Sequence, residues 1–110
     1  MKHDALSDEV ALKDILRTID EIEQILIAPN RDLLANRALE RCFEIIGEAC
    51  RRVSPQLQAK YKEIPWGNII SLRNMISHEY DKVKMATLWD IAEHKMPALK
   101  DWISGILDKN

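Results

Sequence analysis

The chain has 110 residues, 46% hydrophobic and 31% charged, with a formal net charge of −2. That is chain enough for one modest core, so a single globular domain over 1–110 is expected. The slightly acidic balance excludes a protein that coats nucleic acid by bulk charge. It leaves room for an enzyme that grips one or two phosphates, and DNA is not an expected partner.

The N-terminus, Met1-Lys2-His3-Asp4, lacks an apolar signal core, and no run of about 18 apolar residues exists. A cytoplasmic protein with no membrane segment and a mobile N-terminal end is expected. Apolar spacing is helical from there on. Leu12, Ile15, Leu16, Ile19, Ile22 and Leu26 form one stripe, which Ser7, Asp8 and Glu9 suit as a start and Pro29-Asn30 ends. A second stripe runs Leu39, Cys42, Phe43, Ile46, Ala49, Cys50, Val53. Gly47 sits inside it at a cost of roughly 1 kcal/mol against alanine, so it should serve close helix packing. Cys42 and Cys50 would lie about 12 Å apart along this helix, too far for a disulfide, and read as reduced core thiols. Arg31, Arg37, Arg41, Arg51 and Arg52 crowd the same segment; a solvated face with Glu48 paired to Arg52 is the simplest reading.

Ser54-Pro55 is a cap followed by a first-turn proline, opening a short helix to about Lys62. Ile64 must be extended before Pro65. Pro65-Trp66 opens the next helix. A last helical region runs from about Met85 to Leu107, and Pro97 kinks or splits it. With no convincing strand alternation, the expected fold is all-α: an antiparallel bundle of four to five helices.

The fourth of these segments carries Arg73-Asn74-Met75-Ile76-Ser77-His78-Glu79-Tyr80. At about 100° per residue, with Arg73 as zero, Ser77 falls at about 40°, Asn74 at about 100°, His78 at about 140° and Tyr80 at about −20°. One polar sector therefore holds a permanent cation, a side chain that exchanges protons near neutral pH, and a phenol, while Leu72, Met75 and Ile76 turn toward the core. Such a set could simply decorate a wet helix face. It also suits phosphodiester chemistry: His78 for proton transfer, Arg73 for phosphate charge, Asn74 and Ser77 in support. A Ser-His-acid triad is disfavoured, because Ser77 and His78 are sequence neighbours and diverge. His3, His78 and Glu79 show no metal-ligand spacing, and no cofactor or metal is expected. One chain offers one Arg and one His. A two-fold pairing would bring two of each into one cleft and give the polar sector something to face, with Trp66 or Ile70 supplying apolar interface.

The pattern Arg-x4-His-x-Tyr resembles the signature of the HEPN superfamily, in the form carried by HepT-like toxins. Ile45-Ile46-Gly47-Glu48-Ala49 resembles that family's second helix, and Glu63-Ile64-Pro65-Trp66 its approach to the motif helix. Leu88-Trp89 and Met96-Pro97-Ala98-Leu99 follow in place. The resemblance covers about residues 8 to 102. It implies a metal-independent endoribonuclease of RNA that works as a homodimer, with Arg73 and His78 catalytic. It further implies a nucleotidyltransferase antitoxin partner that silences the toxin by transferring AMP to Tyr80. Lys82 and Lys84 depart from the pattern, standing where a glycine and an acidic helix cap are expected; they could help hold RNA. The competing reading is a non-catalytic helical subunit that binds substrate or nucleotide for a separate nucleotidyltransferase chain.

Overall fold

The computed structural model describes residues 2–78 and 84–109, with residues 2–4 and 78 described by their backbone alone. Six helices make up the described residues, with no strand among them: α1 (Lys2–Ile27), α2 (Leu33–Arg52), α3 (Pro55–Lys60), α4 (Trp66–His78), α5 (Met85–His94) and α6 (Met96–Asp108). The all-α expectation holds. The sixth helix arises because the region around Pro97 is split, with Lys95 as the joint.

The breaks fall where backbone chemistry demands them. Asp32 caps α2 by accepting the Ala35 N–H at 3.0 Å. Ser54 caps α3 by accepting the Leu57 N–H, with Pro55 in the first turn. The α2–α3 corner is closed by Gln58, whose amide nitrogen donates to the Cys50 and Val53 carbonyls. The α1 start is placed differently from expectation. The helix begins at Lys2, so Lys2 and His3 belong to it. Asp8, expected at the helix start, instead accepts both the backbone N–H and the hydroxyl of Ser54, each at 2.7 Å.

Helix α2 is the axis of the bundle. It packs against α1 on one flank and α4 on another, while α6 closes against α1 and α5. Both main pairings are antiparallel: Asp14 and Asp8 of α1 meet Arg52 and Ser54, and Glu44 and Glu48 of α2 meet Ser77 and Arg73. The predicted stripes are the core. Leu12, Ile15, Ile19 and Ile22 of α1 and Leu39, Phe43 and Ile46 of α2 are essentially fully buried, joined by Leu99, Ile103 and Ile106 of α6. Each such side chain contributes roughly 1.5–3 kcal/mol of transfer free energy.

Two expectations about apolar surface fail. Trp66 is 5% exposed, and its indole N–H donates to the Tyr61 carbonyl, so it belongs to the core and cannot supply interface. Met75, expected to face inward with Ile76, is 39% exposed. Cys42 and Cys50 are buried and free, as expected. Burial pushes the Cys42 thiol up to about 11, with the Glu21 charge adding to it, and the Cys50 thiol up to about 12.

Candidate active site

The site is built where α2 and α4 come closest, and Gly47 is why they can. A β-carbon placed on Gly47 would lie 2.1 Å from the Arg73 Cβ and 2.8 Å from its Cγ, and 3.2 Å from the Ile69 carbonyl oxygen. No side chain fits there. The missing methyl lets the root of Arg73 lie directly on the α2 backbone. The sequence-based reading of this glycine as a packing residue is correct, and what it packs is the motif arginine.

Arg73 and Ser77 stand one turn apart on α4 and face α2 across a cavity of about 170 Å³. The α2 wall is one helix face: Arg41, Glu44, Ile45, Glu48 and Arg52. The Ser77 hydroxyl donates to Glu44 Oε2 at 2.9 Å. The Arg73 guanidinium is 3.7 Å from Glu48 Oε1 and donates to the Asn74 amide oxygen at 3.1 Å. Glu48 is held by Arg51 through two bonds of 3.1 and 2.6 Å. Those bonds, assisted by the charges of Arg51, Arg73 and Arg52, keep its carboxyl below the ordinary 4.5 against some desolvation.

The sequence-based pairing of Glu48 with Arg52 is thereby corrected. Arg52 turns to Asp14 of α1, at 3.0 Å, because α1 lies on that flank. The arginine-rich face of α2 is also more than solvated surface, since Arg41 and Arg52 line the cavity. Three guanidiniums against two carboxylates leave the lining net positive, suited to one phosphate group.

Among the residues singled out by sequence, the structure joins Arg73, Asn74 and Ser77. For His78 it places the backbone, as the last residue of α4. Tyr80 and Lys82 lie outside the described residues. Lys84 stands at the start of α5 and makes no side-chain cap there, in keeping with the departure noted at that position. Among the described residues, no three His, Cys, Asp or Glu side chains converge as a metal ion would require. Glu44, Arg41 and Arg52 were not singled out as site residues. Their signal was their spacing on one face of the helix that carries Gly47.

The opposite side of α4 is apolar. Ile69, Leu72 and Met75 line an open groove of about 640 Å³ whose far wall includes Ile91, Leu99 and Trp102 of α5 and α6, with Phe43 beneath. Trp102 is 36% exposed there. Trp89 is buried instead, donating to Asn36 at 2.9 Å under the Arg31 guanidinium.

An all-helical domain that opens an arginine-lined cavity between two antiparallel helices is equipped to hold a phosphodiester. The family is shown by comparison: residues 10–106 match the model of the HepT-like family, described as ribonuclease HepT-like, and the chain belongs to that family. It is 31% identical over 103 residues to a Methanocaldococcus jannaschii protein named "Putative RNase MJ1216", covering 87% of this chain and 84% of the relative. It is 30% identical over 101 residues to "Putative RNase MJ0125" of the same organism, covering 87% of each. "Probable ribonuclease HepT" of Thermococcus cleftensis is 31% identical over 94 residues, covering 81% of this chain and 86% of the relative. No solved structure matches the chain at comparable significance. The chain is a ribonuclease of HepT type, and RNA is its substrate class.

Proposed function

We propose that this ribonuclease is a toxin whose 1–110 chain forms one HEPN domain and cleaves RNA by internal 2′-hydroxyl attack, without a metal ion. The observation that carries this reading is the cavity itself: Arg73 presents its guanidinium to a small, net-positive space, with Ser77 one turn further and the His78 backbone next in chain. In the reading, Arg73 stabilises charge on the phosphorane, His78 transfers a proton, and Asn74 orients the guanidinium it already meets. A homodimer built on α4 and its neighbours is part of the proposal. The groove beside Met75 and Trp102, both more than a third exposed, supports it as the surface a second copy would cover.

Tyr80 is proposed as the point of control. A nucleotidyltransferase antitoxin would attach AMP to its hydroxyl, placing a bulky anion two residues beyond His78 and competing with the RNA phosphate for Arg73.

The test is cleavage of a single-stranded RNA by the unmodified protein. Arg73→Ala and His78→Ala should each lower the rate by about 10²-fold or more, and the parent should stay active in EDTA. Full activity in both variants refutes the residue assignment, and loss with EDTA refutes metal independence. Tyr80→Phe should keep cleavage and escape silencing by the partner. Complete silencing of that variant, with no adduct found by mass spectrometry, refutes the regulatory role.

A further inference from the structure

Internal attack on a phosphodiester needs a group to take the 2′-hydroxyl proton and another to give one to the departing 5′-oxygen. The motif supplies one histidine. The structure sets carboxylates from α2 in the same cavity as Arg73, and they are not equivalent. Glu48 is committed: two bonds bind it to Arg51, Arg73 stands at 3.7 Å, and its carboxyl is held below the ordinary range. It is an anchor for guanidiniums and a poor proton acceptor. Glu44 is half-buried and accepts one hydrogen bond, from the neutral Ser77 hydroxyl to Oε2. Its Oε1 has no hydrogen-bond partner among the described residues, and Glu44 lines the cavity. No guanidinium ties Glu44 down, although Arg41 and Arg73 share the space.

We propose that Glu44 is the general base of the reaction. This rests on the 2′-hydroxyl mechanism proposed above and assigns the half of it that His78 leaves open. Glu44 takes the proton from the ribose 2′-hydroxyl, and the freed oxygen bonds to the adjacent phosphorus. The bond from phosphorus to the 5′-oxygen breaks, and His78 protonates that oxygen. The products are a 2′,3′-cyclic phosphate and a 5′-hydroxyl; Glu44 returns its proton to water, and His78 regains one from water. Ser77 holds the carboxylate from α4, so that base and phosphate-binding arginine keep one spacing.

The test compares Glu44→Gln with His78→Ala on two RNA substrates. One is a natural phosphodiester; the other carries sulfur in place of the bridging 5′-oxygen. A thiolate leaves without a proton, so that substrate needs a base and no acid. Glu44→Gln should lose about 10²-fold or more on the natural substrate and recover nothing on the sulfur one, while His78→Ala recovers most of its loss. The parent's rate should fall on the acid side of its pH profile as the base is protonated. That limb should vanish in Glu44→Gln and persist in Ser77→Ala. Glutamine can still accept from Ser77, and matched thermal melting of parent and variant shows that the fold is kept. Glu44→Gln active within threefold of the parent, rescued on the sulfur substrate, or retaining the acid limb overturns the assignment. Products from the parent ending in 5′-phosphate and 3′-hydroxyl would instead refute 2′-hydroxyl attack itself, a separate failure read on the parent alone.

Discussion

The two flanks of α4 are made on opposite principles. Toward α2 the helix lies so close that not even a methyl group fits at Gly47, and Arg73 and Ser77 meet the carboxylates of Glu48 and Glu44. Toward α5 and α6 it stands off, and Met75, Leu72 and Trp102 border open space. The tight flank fixes distances among charged groups, which chemistry on a phosphate needs. The loose flank holds apolar surface that water covers poorly, which suits association. One helix of 13 residues serves both because its two sides have different neighbours.

The contrast can be broken most sharply at Gly47. Gly47→Ala should push α2 and α4 apart, since the contact is with the root of Arg73 and with backbone, neither of which can swing aside. Overpacking of this kind costs about 1–3 kcal/mol, against about 1 kcal/mol gained from helix propensity. A lowered denaturation midpoint together with RNA cleavage reduced at least tenfold is expected. An alanine variant as stable and active as the parent would show that the flank is not tight. On the loose side, Met75→Asp should leave the thermal midpoint within a few degrees and raise the dissociation constant of the proposed dimer at least tenfold, or about 1.4 kcal/mol. Unchanged self-association in light scattering would place the interface elsewhere.

A smaller effect concerns acid. Arg52 and then Arg17 draw the Asp14 carboxyl below its ordinary 3.8, and Arg51 chiefly draws Glu48 below 4.5. Because the folded values are the lower ones, the stabilisation is complete above the ordinary values and is lost as pH falls through the folded ones. The melting temperature should therefore decline below about pH 4.5, and more gently in the Asp14→Asn, Glu48→Gln double variant. Parallel curves for the two proteins would show that these pairs carry no linkage. Both carboxylates are partly exposed, so the slope should be modest and salt-sensitive.

Much of this was legible in the chain. Pro29-Asn30, Ser54-Pro55 and Pro97 mark breaks through backbone geometry, which is local. The apolar stripes named the core because period and burial go together. The motif's helical phase put Arg73 and Ser77 on one side. What could not be read was the neighbour on that side. Glu48 has Arg52 one turn away in sequence, yet it takes Arg51 and Arg73, because docking of α4 and the pull of Asp14 on Arg52 are decided between helices. Met75 looked like core by phase alone, and the distance between α4 and α6 leaves it at the surface. Glu44 carried no sign of its own until α4 set Ser77 against it.

The bond from Asp8 to Ser54 has a consequence for the order in which the molecule assembles. Capping a helix is usually a neighbourhood affair, settled within three or four residues. Here the serine that starts α3 is itself oriented by a carboxylate 46 positions earlier, so the corner after α2 is completed only when α1 has docked. The ring of chain this closes is long, and its entropy must be met before the reward arrives. The bend that aims the chain toward Pro65 and α4 is thus expected to form late. Asp8→Ala should accelerate unfolding more than it slows folding.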